Sequence, residues 1–273
     1  MVANFFKNLK HDTHIYWLSL RTQFNASAAL RGAFITQVVG MVLNNSALIL
    51  AWLFMFGYFG NINGWSGYEL IGLQGINMFI FGVVMLMSGG LSDDLSTRVD
   101  QGSFDNFLTK PVSVLSQVAS SSVEVSAVGD LLMGLGIMIW YAAYAHASLA
   151  GTLLFLVVVF EGCILFWCFF LLLPGLLAFY LFDSDRLVRY LASLFLDTSM
   201  YPTGVLTGAL RTVLLLVVPG LFMGAIQIDI LRNLHWELVV VGAALSIFWL
   251  IVSLWLFKRS IRRYESSNLI GVR

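Results

Sequence analysis

The chain has 273 residues, 59% of them hydrophobic and 11% charged, with a mean hydropathy of +0.86 and a formal net charge of zero. Soluble domains are typically ~45–50% apolar and ~25% charged, so the composition excludes an ordinary soluble domain and points to an all-α integral membrane protein. The neutral net charge gives no sign of a nucleic-acid partner, and Cys163 and Cys168, deep in one apolar run, read as small buried hydrophobes rather than a disulfide framework.

From the amino terminus, Lys7, Lys10, Asp12, Arg21 and Arg31 are mixed with aromatics and leave no clean apolar core. No cleavable signal peptide is expected, and the amino terminus should stay with the protein. Within residues 4–24, Phe5, Phe6, Leu9, Ile15, Tyr16, Leu18 and Leu20 alternate with basic residues. That pattern predicts an amphipathic helix lying on the membrane surface within an interfacial segment, 1–31.

Six segments have the ~20 apolar residues that a spanning helix needs: 32–58, 69–90, 119–144, 150–181, 203–226 and 237–257. Strands are excluded, because lipid requires each segment to close its own hydrogen bonds. The fourth segment is long enough to tilt or to extend beyond the bilayer. The third and fifth are the weakest, since each carries an ionised side chain. Arg98, Lys110, Arg186, Arg189 and the basic tail 258–273 fall on the same side as the N-terminal cations, while the opposite loops offer only Arg232. The positive-inside rule therefore predicts both termini and the 91–118 segment in the cytoplasm. No internal repeat is visible, and 1–273 reads as one domain.

Polar groups interrupt the spans. Asn44 and Asn45 lie in the first, Gln74 and Asn77 in the second. Such amides hydrogen-bond across helices or line a translocation path. Met41, Met55, Met78, Met85 and Met87 offer either adaptable path lining or ordinary packing.

Between spans two and three runs GSFDNFLTKP, residues 102–111. Gly102 can end the preceding turn, Ser103 suits an N-cap, and Asp105 falls where the helix dipole favours negative charge. Phe104, Phe107 and Leu108 share a face at i, i+3, i+4 spacing. Pro111 disfavours helix at Thr109 and Lys110. The expected helix of about two turns is too short to stand alone. Its aromatics either pack on lipid and the chain's own elements, or fill a cleft in a soluble partner.

Asp130 is expected midway along span three, Glu161 at similar depth in span four, Glu124 nearer the cytoplasmic mouth, and Arg211 in span five. An acid at the bilayer centre costs about 2.5–3.5 kcal/mol and so faces a bundle interior or cavity. Three readings stay open: an ion pair with Arg211, a protonated carboxyl, or attraction of a cationic substrate. Residues 187–200 form a second interfacial helix or the start of span five. Gly204 with Gly208, and Gly220 with Gly224, have the GxxxG spacing that lets helices approach, and Pro219 should interrupt span five.

No catalytic or metal constellation is expected, because His11, His14, His146 and His235 do not cluster with acids or cysteines at ligand spacing. There is no G-x-x-x-x-G-K-[ST] phosphate loop, so this chain does not hydrolyse ATP by that route.

GSFDNFLTKPVS in its place after span two, the basic amphipathic N-terminus, the six spans, Tyr201-Pro202 and Pro219 together resemble the permease subunits of type-2 ATP-binding-cassette (ABC) transporters, closest to their DUF990-like branch. The resemblance implies that 91–118 is a coupling segment. Its coupling helix would touch a cytoplasmic P-loop ATPase through Gly102, Phe104, Asp105, Phe107, Leu108, Lys110 and Pro111. It further implies a non-enzymatic transport subunit of the cell (inner) membrane, with ATP and Mg held by the partner ATPase, which pairs with itself or a second permease. The cargo would be an amphipathic or cationic small molecule, exported past Asn44, Asn45, Gln74, Asn77, Asp130, Glu161 and Arg211. Short re-entrant pieces at the outer face would correspond to residues 226–237. The rival readings are an ion-coupled secondary transporter using Asp130 and Glu161, and a non-transporting membrane scaffold.

Overall fold

The structure is a computed structural model that describes residues 2–60, 64–91, 94–146, 148–181, 184–202, 208–216, 218–233 and 235–264, and of residues 2–10, 59, 94, 185, 210, 211, 214 and 216 the backbone alone. The described residues form an all-α membrane protein, with no strand among them. Five helices are long and apolar enough to cross a bilayer.

The N-terminal helix α1, Val2–Ala29, is continuous and longer than expected. It turns Ile15, Tyr16, Ser19 and Leu20 towards the protein and leaves Trp17, Leu18 and Phe24 exposed. The Tyr16 hydroxyl donates to the Met87 carbonyl, and Ser19 Oγ donates to the Ser120 carbonyl at 3.1 Å. Burial pushes the Tyr16 phenol pKa up, against a smaller opposing effect of Ser88.

The first span, α2 (Arg31–Phe59), is mostly exposed along its length. The second, α3 (Gly67–Ser88), starts at a capping box: Ser66 Oγ accepts from the Glu69 backbone and the Glu69 carboxylate accepts from the Ser66 backbone. Two short helices follow, α4 (Asp94–Asp100) and α5 (Asp105–Leu108), then α6 (Val114–Ala119).

The third span, α7, covers Ala127–Tyr144, so residues 119–126, expected inside it, precede it instead. This moves Asp130 from mid-span to the first turn of α7. Glu124 lies outside the helix and accepts a hydrogen bond from Ser126 Oγ at 2.7 Å.

Among the described residues, helices α3 and α7 pack against each other more extensively than any other pair. Glycines permit this approach: a Cβ on Gly72 would meet the Tyr141 ring, one on Gly75 the Ile137 side chain, one on Gly82 the Leu131 backbone, and one on Gly134 the Phe79 backbone. The pairs run antiparallel, one helical turn apart, as small-residue packing in lipid requires.

Span four begins with α8 (Leu149–Phe166), capped where Ser148 Oγ accepts from the Gly151 backbone at 3.1 Å. It continues through a π-helical stretch (Trp167–Leu172), the short α9 (Leu173–Gly175) and a 3-10 turn (Leu176–Phe179). The widened stretch leads into Pro174, which has no N–H to donate and whose ring would press on the preceding turn.

The expected fifth span, 203–226, is not one helix. Residues 203–207, with Gly204, lie outside the described residues. The rest divides into α11 (Gly208–Leu216), a 3-10 turn (Gly220–Met223) after Pro219, and α12 (Ala225–Asn233). The preceding α10 (Asp185–Ser199) buries Val188, Ala192, Phe195 and Ser199 on one face. Its Phe195 stacks on Phe169 of the π-helical stretch at 5.4 Å.

The end of α10 reaches the middle of α3, where Ser199 Oγ donates to Asn77 Oδ1 at 2.9 Å. At that same level a Cβ on Gly224 would touch Asn77 and Leu73. The chain therefore enters the bundle as α10, breaks level with Asn77, and continues as α12 to the far end. There Arg232 Nε pairs with Glu69 at 2.8 Å and its Nη2 donates to the Gly64 carbonyl at 2.9 Å. Helix α13 (Trp236–Ile261) returns. The near end carries α1, α4 to α6 and Tyr264; the far end carries Ser66, Glu69 and Arg232. The near-end placement of both α1 and Tyr264 follows from this two-piece crossing.

Candidate functional site

Two places gather the polar side chains. The first is the segment after α3. Helix α4 ends on Gly102 in the left-handed region (φ 72), where the Gly102 N–H donates to Val99 and the Phe104 N–H to Arg98. Ser103 does not cap α5; its hydroxyl donates to the Arg98 carbonyl at 3.3 Å. Asp105 does open α5, which is only a single turn of four residues.

The aromatic face points inward. Phe104 is fully buried, 5.2 Å from the Phe179 ring at the end of span four and 5.1 Å from Tyr264 beyond α13. Phe107 is buried beside it, with the Arg98 guanidinium over its ring at 5.3 Å. Gln117 Nε2 donates to the Phe107 and Val112 carbonyls at 3.1 and 2.8 Å, fastening the far end of the segment to α6. Of the residues expected to contact a partner, Leu108, Lys110 and Pro111 are exposed, Gly102 and Asp105 are half-buried, and Phe104 and Phe107 are spent on the chain's own core. Burial first, and then the neighbouring Asp105 carboxylate, push the Tyr264 phenol up to about 12. Tyr264 therefore stays a neutral part of this anchor at physiological pH.

The second place is a cavity of 170 Å³ between α2, α3, α7 and α10. Asn44, Asn45, Gln74, Asn77 and Asp130 all line it, with Met41 and Met78. Asn45 Nδ2 donates to Asp130 Oδ1 at 2.6 Å, while Asp130 Oδ2 is buried and has no hydrogen-bond partner among the described residues. Asn77 Nδ2 donates to the Leu73 and Ser199 carbonyls, and Gln74 Nε2 to the Met200 carbonyl at 3.2 Å. The amides thus hold the open end of α10, whose last carbonyls have no helical partner.

A second cavity of 340 Å³, lined by Trp52, Met55, Asp197 and Tyr201, adjoins this one and shares Leu48 and Met200 with it. The result is one groove along α2 and α10 with two carboxylates on it, Asp130 and Asp197. Asp197 was not singled out from the sequence, because a charge near the end of an amphipathic helix reads as solvated. Its one signal was its position three residues before Met200-Tyr201-Pro202, at a helix end inside the bundle.

Glu161 is elsewhere. It faces α13 and the turn before α12, where a Cβ on Gly242 would collide with its carboxyl. Both carboxyl oxygens are buried without a hydrogen-bond partner among the described residues. Asp130 and Glu161 therefore do not form one site. The Arg211 side chain lies outside the described residues, and with it the proposed ion pair. Gly220 packs against Thr198 and Phe195, so the Gly220–Gly224 spacing serves a tight turn rather than a helix crossing. Among the described residues no group of His, Cys, Asp and Glu is arranged to hold a metal ion.

The family model described as ABC-2 family transporter protein matches residues 42–268, which contain the segment after α3 and every residue lining the groove except Met41. The match supports the type-2 family and does not distinguish its DUF990-like branch. No curated protein and no solved structure matches the chain.

Proposed function

The chain belongs to the ABC-2 family of transporter membrane proteins, and from that premise we propose that it forms half of the translocation path of an ATP-driven exporter of amphipathic cations. It is a membrane subunit rather than a catalytic enzyme. ATP and Mg are bound by separate cytoplasmic P-loop ATPase subunits, and a second permease, identical or related, completes the path. The cell (inner) membrane holds it with both termini in the cytoplasm.

The observation that carries the substrate class is the groove along α2 and α10. It is open on one side, walled by methionines and aromatics, and carries Asp130 and Asp197 with a cluster of amides. An organic cation loses part of its hydration there and gains a carboxylate; a second permease across the groove would exclude lipid from it.

The coupling reading rests on the outward residues of the segment, Leu108, Lys110 and Pro111. Phe104 ties that segment to Phe179 at the end of span four, and Phe104 and Asp105 tie it to Tyr264 just beyond α13, so displacement of α5 by a nucleotide-driven ATPase moves more than the two helices it connects. Nucleotide then biases inward against outward access by its differential affinity for the two states.

The test is gentle purification of the tagged chain from native membranes, with mass spectrometry of what co-elutes. A near-stoichiometric P-loop ATPase is expected, and it should be largely lost from Leu108→Asp while the variant still inserts. Absence of any ATPase, under conditions that keep a control ABC complex together, overturns the reading in favour of an ion-driven carrier or a scaffold.

A further inference from the structure

A third cavity, of 340 Å³, lies between α1 and the segment after α3; it is separate from the groove and shares only Lys110 with the outward coupling face. Its volume is that of a small-molecule site. One wall is α1, held by the Tyr16 and Ser19 hydrogen bonds to Met87 and Ser120. The opposite wall presents Arg98 from α4, Lys110 at the rim, and Gln117 and Ser121 from α6 and the turn after it. No lining side chain is acidic.

Gln117 spends both its donors on the Phe107 and Val112 carbonyls. Its Oε1 is buried and has no hydrogen-bond partner among the described residues. A buried amide oxygen left without a donor costs roughly 1–3 kcal/mol, and since Gln117 lines the cavity a bound donor that reaches this oxygen would relieve that cost. Two cations and one empty acceptor are complementary to a phosphate ester that itself carries a hydroxyl or ammonium group.

The level of the cavity indicates where such a ligand comes from. Met87 and Ser88 are the last residues of α3, at the end of its apolar run and next to the polar segment that follows. Trp17, Leu18 and Phe24 stand exposed on α1 beside it, the arrangement of a helix half-sunk in the headgroup layer. Basic pockets at this depth take lipid headgroups.

We propose that this cavity binds the headgroup of an anionic glycerophospholipid, with its phosphate held by Arg98 and Lys110 and a headgroup hydroxyl donated to Gln117 Oε1. The bound lipid bridges α1 to the loop that follows α5, so that the membrane itself braces the segment. The inference stands apart from the ATPase reading and is tested without an ATPase.

The experiment is native mass spectrometry of the full chain, purified and delipidated in detergent, titrated separately with phosphatidylglycerol, phosphatidylcholine and soluble glycerophosphoglycerol. Phosphatidylglycerol is expected to bind at least about tenfold tighter than phosphatidylcholine. Lys110→Gln and Arg98→Gln should each weaken it about fivefold, the worth of one cation beside an anionic lipid. Lys258→Gln, in the basic tail, should leave it unchanged. Equal binding of the two lipids overturns the proposal, as does equal weakening by Lys258→Gln and Lys110→Gln, which would mark unspecific surface attraction. Soluble glycerophosphoglycerol binding as tightly as the lipid overturns the membrane source and assigns the site to a soluble phosphate ester.

Discussion

Asp130 accepts one strong hydrogen bond from Asn45, and its second oxygen is buried with no hydrogen-bond partner among the described residues. Asp130→Asn keeps the size and removes the charge. Under the proposed function it should reduce export of organic cations at least about tenfold, the worth of roughly 1.4 kcal/mol, and spare neutral compounds, measured in inside-out vesicles with ATP. Equal loss of both classes would leave Asp130 a structural residue. Phe104 belongs to a different kind of site. It touches Phe179, Tyr264 and Phe107 at once, so Phe104→Ala should destabilise the protein by about 3–5 kcal/mol, read as a lower unfolding temperature in detergent. Leu108→Asp should leave that temperature nearly unchanged. The i, i+3 spacing of Phe104 and Phe107 was legible in the sequence. Their destination was not, because an apolar face suits lipid, a partner's cleft and the chain's own core equally well.

Glycine positions define how the main elements meet. Gly72 and Gly75 allow α3 to touch the side chains of α7, and Gly82 and Gly134 let the two backbones meet, while Gly136, on the other side of α7, has nothing near it. Gly75→Leu and Gly134→Leu are therefore expected to abolish accumulation of folded protein, and Gly136→Leu to be tolerated; fluorescence-detected size-exclusion of the three variants compares them. Equal yields would refute the close α3–α7 pairing. The GxxxG spacings that stood out in the sequence were the less informative ones, and the glycines that bring helices together were spread over two segments without a tight motif. Helix α10 shows the same limit. Its amphipathic repeat was legible, but a short amphipathic helix reads alike whether it lies on the membrane or enters a bundle. Only the bonds of Ser199 and Met200 to Asn77 and Gln74 decide that it enters.

Among the described residues, five helices are long and apolar enough to span, and α10 and α12 both reach α3 at the level of Asn77. Cysteines placed at positions 77 and 199, in a chain whose Cys163 and Cys168 are replaced by alanine, should be joined by a short bifunctional thiol reagent. Cysteines at 77 and 187 should not, since Leu187 is exposed at the start of α10. Joining of the second pair, without the first, would return α10 to the membrane surface and the fifth span to residues 203–226.

The sequence by itself determined that the chain lives in lipid, that its elements are helices, and that a polar segment with a glycine-ended turn interrupts them between the second and third spans. These follow from composition and from the need of every backbone group in lipid to find its partner locally. The tertiary structure alone decided that the expected fifth span is not one helix, that Asp130 joins Asn45 and a groove while Glu161 does not, and that Phe104 serves as an anchor. Each of these depends on which apolar or polar surface meets which. In lipid the hydrophobic pattern cannot say this, because a lipid tail and a neighbouring leucine are nearly equivalent partners.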